Sequence, residues 1–216
     1  MAKTALVAGT TGLIGSQLVD LLLADSDYEK VIAISRKPVE KTHAKLDNLV
    51  CELKDLPSAL KDKRVDVIFC CLGTTMRKAK TKEAFRAVDY DAPVALAKVA
   101  KENGAKKYIL VSALGANKNS SIFYNQVKGQ VEDAIEQVEF ESYHILQPSL
   151  LTGPRKEQRS GEEAAQIFYK IFGFLIPKKY AAIESIKVAR AMVAYAKEEG
   201  NGKFVHSSQE LQKYLN

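Results

Sequence analysis

The chain has 216 residues, 46% hydrophobic and 27% charged, with a formal net charge of +6 and a pI near 9.0. That length holds one domain with a modest appendage, and the composition excludes a disordered, collagen-like or membrane-spanning protein. The basic excess is dispersed, with no basic run interleaved with aromatics, so it describes a solvated surface that also suits an anionic cofactor and argues against nucleic acid.

Thr4 to Ala8 is predicted as a short buried strand. Gly12 to Ala24 is predicted as a helix, with Leu13, Leu18, Leu21 and Leu22 at helical spacing. Between them runs Gly9-Thr10-Thr11-Gly12-Leu13-Ile14-Gly15, of the form G-x-x-G-x-x-G. Strand, glycine turn and helix in that order build a phosphate site. Glycines let the backbone approach a diphosphate, and the helix start offers free N–H groups and partial positive charge. The spacing differs from the G-x-G-x-x-G dinucleotide fingerprint, and a plain tight turn would carry the same glycines. Its place at the head of an alternating α/β pattern favours nucleotide binding.

Lys30 to Ser35 is the second strand. An acidic residue at the end of this strand would meet the ribose 2′-hydroxyl of NAD; here the positions read Ser35-Arg36-Lys37. Arg36 can clamp a phosphate with a forked pair of hydrogen bonds and Ser35 can add a third, so NADP is preferred to NAD over the alternative of a solvated basic turn. Asn48 to Leu53 reads as a third strand, followed by Asp55 and a brief helix from Pro57. Val65 to Leu72 is apolar almost throughout, the mark of a central parallel strand, and ends at Gly73-Thr74-Thr75.

Thr81 to Asn103 is a long helical pattern, bent around Asp91-Ala92-Pro93. Lys107 to Ser112 is the fifth strand, with Ser112 at its carboxyl end. A polar loop, Gly115 to Ser121, leads to a helix from Phe123 to about Val138. The sixth strand, Tyr143 to Gln147, ends at Pro148. Strands alternating with helices and no hairpins imply an α/β doubly wound parallel sheet with helices on both faces.

Residues 152–161 form a charged loop with Arg155, Lys156 and Arg159. Ile167 to Ile176 is strongly apolar, suited to core packing, a substrate wall or a subunit contact. Ile183 to Glu198 is predicted as an amphipathic helix, Lys203 to His206 as a short strand and Ser207 to Leu215 as a serine-capped helix. Cys51, Cys70 and Cys71 lack Cys-x-x-Cys spacing, and His43, His144 and His206 are far apart, so no metal site is expected. No secretory signal pattern opens the chain, and the expectation is a cytoplasmic protein with reduced thiols.

Chemistry enters with Ser112 and with Tyr124-Asn125-Gln126-Val127-Lys128. Tyr124 and Lys128 lie four apart and share a helix face. An ammonium beside a phenol favours the phenolate, and such a tyrosine can exchange a proton at neutral pH while hydride moves to or from a carbonyl carbon. The Ser112 hydroxyl can polarise the substrate oxygen, and Lys128 can hold a ribose. Tyr-x-x-x-Lys alone is common on helix surfaces. Following a glycine turn and a strand-end serine, it marks a catalytic set.

Together these residues resemble the short-chain dehydrogenase/reductase superfamily over nearly the whole chain. Phe69-Cys70-Cys71-Leu72-Gly73-Thr74-Thr75, Val88-Asp89-Tyr90-Asp91, Gln126-Val127-Lys128-Gly129-Gln130-Val131-Glu132 and Leu146-Gln147-Pro148-Ser149-Leu150-Leu151 resemble its atypical branch, the one containing the mammalian Tat-interacting protein. The resemblance implies a single Rossmann-type NADP-binding domain, residues 1–216, with about 150–180 and the C-terminal segment as a small appendage on the substrate side. It places Gly9 and Thr10 to Ile14 on the diphosphate, Ser35 and Arg36 on the 2′-phosphate, and Leu53, Leu72, Gly73 and Thr74 around the adenosine and its ribose. Pro148 to Leu151 would flank the nicotinamide, with Tyr124 and Lys128 at its ribose. Two departures stand out. Gln147-Pro148-Ser149 replaces the usual Arg-Pro-Gly, and only eleven residues separate Ser112 from Tyr124.

The activity implied is NADP-dependent hydride transfer with a small carbonyl or alcohol. Two alternatives stay open: an NADPH-binding redox sensor or scaffold with little turnover, and a flavin or tetrapyrrole reductase. A homodimer or protein partner is also left open.

Overall fold

The computed structural model describes residues 2–154 and 181–215. Arg155, Lys156 and Arg159 and the apolar stretch Ile167 to Ile176 lie outside the described residues.

Apolar, β-branched runs form the strands β1 (Lys3–Ala8), β2 (Tyr28–Ser35), β3 (Leu46–Val50), β4 (Val67–Cys70), β5 (Lys107–Val111), β6 (Ser142–Gln147) and, after two short strands described below, β9 (Gly202–Ser207). They build one parallel seven-stranded sheet in the order β3-β2-β1-β4-β5-β6-β9. This is a Rossmann-type α/β fold. Alternate residues of β1 point to opposite faces: Ala5 and Val7 join a core beneath α1 (Leu13–Ala24) and the helix Ser185–Lys197, whereas Leu6 and Ala8 join a core beneath α5 (Ala92–Glu102) and α6 (Phe123–Glu136). Burial on both faces explains why the central strands read as continuous apolar runs.

The fourth strand, Val67–Cys70, and the last helix, Ser208–Leu211, are shorter than the sequence reading, and three further elements differ from it for identifiable reasons. The third strand ends at Val50 because its partner β2 ends at Ser35, opposite Val50; Leu53 begins a 3-10 turn, Leu53–Asp55, that leads into α2 (Leu56–Ala59). The long helical pattern from Thr81 divides into α4 (Lys82–Arg86), after a short α3 (Met76–Ala79), then a wide π-type turn, Ala87–Asp91, and α5. Pro93 sits in the first turn of α5, where its missing N–H costs nothing. The widening lies before it and turns Asp89 into the protein. Finally, Ile183 does not begin a helix: β7 (Leu151–Thr152) and β8 (Ile183–Glu184) pair in parallel before the helix starts at Ser185.

Candidate active site

Residues at the carboxyl ends of β1, β4, β5 and β6 gather at one edge of the sheet. The first is the glycine turn. Gly9 holds φ +86, and a Cβ there would stand 2.6 Å from the Cys71 carbonyl oxygen. A Cβ on Gly15 would stand 2.2 Å from the Gly9 carbonyl oxygen, so α1 abuts the turn as closely as backbones allow. Buried Thr10 donates its hydroxyl to the Ile34 carbonyl at 3.2 Å, tying the turn to the end of β2. No side chain caps the start of α1 and its first turn carries no acid, while Thr11 and Gly12 are exposed. This uncapped, glycine-lined helix start fits a diphosphate. Leu13 meets the far side: a Cβ on Gly153 would lie 3.3 Å from its Cδ1, so the stretch after β6 closes over the turn.

At the end of β2 the two basic-turn residues separate. Arg36 is exposed, while the Ser35 hydroxyl donates to the Lys37 carbonyl and closes the turn instead of facing outward. At the end of β4, Leu72 and Thr74 are half-buried and Gly73 is exposed. Leu53 is half-buried, Pro148 is buried with its carbonyl accepting from Leu114 N–H at 2.9 Å, and Leu151 lies in β7.

The α6 face carries the rest. Lys128 is only 5% exposed, and its Nζ lies 2.8 Å from Oδ1 of Asp89, whose side chain is fully buried. Asp89 also accepts from Thr74 N–H at 2.8 Å, joining the wide turn to the loop after β4. Burial works against the Lys128 ammonium, but the Asp89 carboxylate, aided by Tyr124, outweighs it and lifts the lysine above its usual range. Gly73 lies against this pair: a Cβ there would be 3.5 Å from Asp89 Oδ1 and 3.7 Å from Lys128 Nζ. Tyr124 is half-buried, its ring 5.6 Å from that of Phe85. Ser112 is buried at the end of β5 and donates its hydroxyl to Glu132 Oε1, two turns along α6 from Tyr124. Gln147 Nε2 reaches both Glu132 oxygens at 3.1 Å. The loop between Ser112 and Tyr124 folds back on α6, with Asn117 N–H donating to the Asn125 carbonyl at 3.0 Å, and so absorbs the short spacing.

The structure therefore brings Gly73, Ser112 and Lys128 close to two carboxylates that sequence reasoning left without a role. Asp89 was visible only as part of a motif. Glu132 had a legible signal: Tyr124, Lys128 and Glu132 recur every four residues, so three ionisable groups share one face of a helix that packs on a core.

An NAD(P)H-binding family model matches residues 9–199. The chain belongs to that NAD(P)H-binding family. Its relatives include the Protein HTATIP2 of Rattus norvegicus, 35% identical over 93% of this chain and 84% of its own length. Another is the mitochondrial Protein FMP52 of Debaryomyces hansenii, 34% identical over 94% and 92%. The short-chain dehydrogenase/reductase resemblance holds, in the HTATIP2 and FMP52 branch. Solved structures of similar fold include the Bordetella bronchiseptica enzyme WbmH in complex with NAD+, with a TM-score of 0.75, 17% identity and coverage of 96% and 76%. The UDP-glucose 4-epimerase of Thermotoga maritima, with UDP-glucose, gives 0.72, 20%, 97% and 80%.

One expectation is overturned. FMP52 relatives from several fungi, Candida albicans among them, are mitochondrial by name, so the cytoplasmic assignment falls. Its basis was reduced cysteines and no secretory signal, which separate oxidising from reducing compartments and cannot tell one reducing compartment from another. Among the described residues, no helix is long and apolar enough to cross a membrane.

Proposed function

We propose that this protein is an NADP-dependent oxidoreductase of the short-chain dehydrogenase type, acting between a small carbonyl compound and its alcohol. The observation that carries the reading is the Lys128 ammonium, buried beside exposed Gly73 and kept charged by Asp89 on the helix face that bears Tyr124. A buried ion pair adds little to stability over apolar packing, so its place at the open end of the sheet points to use.

The uncapped start of α1 with Gly9 to Ile14 holds the diphosphate; Arg36 takes the 2′-phosphate; Leu53, Leu72, Gly73 and Thr74 border the adenosine half; Pro148 and Leu151 flank the other end. When bound, the cofactor supplies or accepts the hydride at the substrate carbon. Ser112 meets the substrate oxygen and Tyr124 gives that oxygen its proton in reduction, or takes it in oxidation. Lys128, anchored by Asp89, holds a positive charge next to Tyr124 and reaches the ribose. The FMP52 names favour a mitochondrial setting for this chemistry.

NADPH oxidation against a panel of carbonyl compounds tests the reading. Tyr124→Phe should lower kcat by about 10²–10⁴-fold with little change in KM. Equal turnover by native protein and variant would remove Tyr124 from the reaction.

A further inference from the structure

Of the three ionisable groups on the inner face of α6, Glu132 is the one the reaction above does not use. It is 8% exposed, and its carboxyl is held by two neutral groups, the Ser112 hydroxyl and the Gln147 amide. The charges around it are committed elsewhere. Lys128, one turn away on α6, is paired with Asp89, and Lys203 on β9 lies 2.6 Å from Glu136. Tyr143 on β6 gives its hydroxyl to the Glu132 backbone carbonyl at 3.3 Å. A hydroxyl has one proton and two lone pairs, so Ser112 can donate to a carboxylate or accept from a carboxylic acid without moving. An ammonium in its place could serve the carboxylate only.

We propose that Glu132 is a positioning residue whose own proton sets which way the Ser112 hydroxyl points. With Glu132 protonated, the carboxyl donates to Ser112 Oγ, and the serine proton turns outward to hydrogen-bond a carbonyl oxygen. With Glu132 ionised, Ser112 donates inward, and its lone pairs face outward to accept from an alcohol. No bond other than hydrogen bonds changes. Burial pushes the Glu132 carboxyl up, against the opposing pull of the Ser112 and Gln147 hydrogen bonds and of the Lys203 and Lys128 charges. The proposal rests on the reading of Ser112 as the group that meets the substrate oxygen.

An infrared titration of protein carrying carboxyl-labelled glutamate tests it without substrate, with Glu132→Gln assigning the band. The expected result is a protonated-carboxyl band that persists above the range of exposed glutamates. Ser112→Ala should raise its midpoint by about one pH unit, because the carboxylate loses a donor. A band that titrates with the exposed glutamates, or a midpoint that Ser112→Ala leaves in place, overturns the proposal. In benzaldehyde reduction with NADPH, kcat/KM of the wild type should fall about tenfold per pH unit above the infrared midpoint. Glu132→Gln, whose amide donates to Ser112 at every pH, should lack that limb. If Tyr124→Phe abolishes turnover while wild type and Glu132→Gln share one pH profile, this proposal fails and the oxidoreductase reading stands. If Tyr124→Phe is fully active, that reading fails, and the infrared titration still decides where the Glu132 proton lies.

Discussion

Strand β6 serves two buried polar clusters, one on each face, and they are built on opposite lines. On one face Gln147 joins Glu132, Ser112, Lys128 and Asp89, a cluster that keeps full charges out of water. On the other, His144 bonds to Ser142 at 3.0 Å and to His206 at 3.0 Å, and the rings of Tyr195, Phe204 and His206 stack around it. His206 and Tyr195 also line a surface hollow of about 580 Å³ beside β9, lined by none of the residues assigned to the active site. The histidine cluster is held neutral: burial, with His206 and Lys107 nearby, brings His144 down to about 4. Burying charge costs several kcal/mol per ion and burying a hydrogen-bonded neutral ring costs far less. Among the described residues, the larger cost is borne at the carboxyl ends of the strands, where parallel sheets bind ligands.

The comparison breaks most visibly at Lys128. Lys128→Met leaves the fully buried Asp89 side chain without its counter-ion, and a loss of about 3–5 kcal/mol in urea unfolding is expected. Removing both charges, Asp89→Leu with Lys128→Met, should restore most of that stability while leaving the protein inactive. If the double variant is no more stable than the single one, the pair is holding the fold together and the contrast between the clusters is lost.

These two clusters were not equally legible in the sequence. The sheet was, because strands buried on both faces are apolar without interruption, as Val67–Cys70 and its neighbours show. The glycine turn was legible too, since a turn that places a Cβ 2.2 Å from a carbonyl admits no other residue at Gly15. Asp89 was hidden because it enters the site through a π-type widening, which shifts the helical register and defeats a four-residue pattern. His144 and His206 looked unrelated at a separation of 62 residues; the parallel pairing of β6 with β9 makes them neighbours, and no local pattern encodes that pairing. The two-residue ladder of β7 and β8 is too short to leave any periodic trace.

The neutral cluster makes a smaller, pH-dependent prediction. The folded state resists protonating His144 until about pH 4, whereas the unfolded chain takes that proton near 6.5. Between those values the unfolded state binds more protons, so stability falls as the pH falls, by up to about 1.4 kcal/mol per pH unit, and is level above 6.5. His206 is lowered by burial as well, with Glu210 opposing, and adds in the same direction. Urea midpoints at pH 7, 6 and 5 measure the slope. His144→Phe keeps the stacked ring and should flatten most of it; an unchanged slope would mean that the proton goes elsewhere.

The smallest effect belongs to a charge that is not buried. Arg36 stands exposed at the end of β2, and the Ser35 hydroxyl beside it already donates a hydrogen bond to the Lys37 carbonyl, which leaves the guanidinium as the forked donor there that can meet a 2′-phosphate. An exposed contact of this kind is worth about 1 kcal/mol and is screened by salt, unlike the Asp89–Lys128 pair. Arg36→Ala should therefore weaken NADPH binding about five- to tenfold, leave NADH binding unchanged and reduce the salt dependence of NADPH affinity, all readable by fluorescence titration at two ionic strengths. Equal weakening for NADPH and NADH would place Arg36 on the diphosphate, which both cofactors share, and remove the basis for preferring NADP.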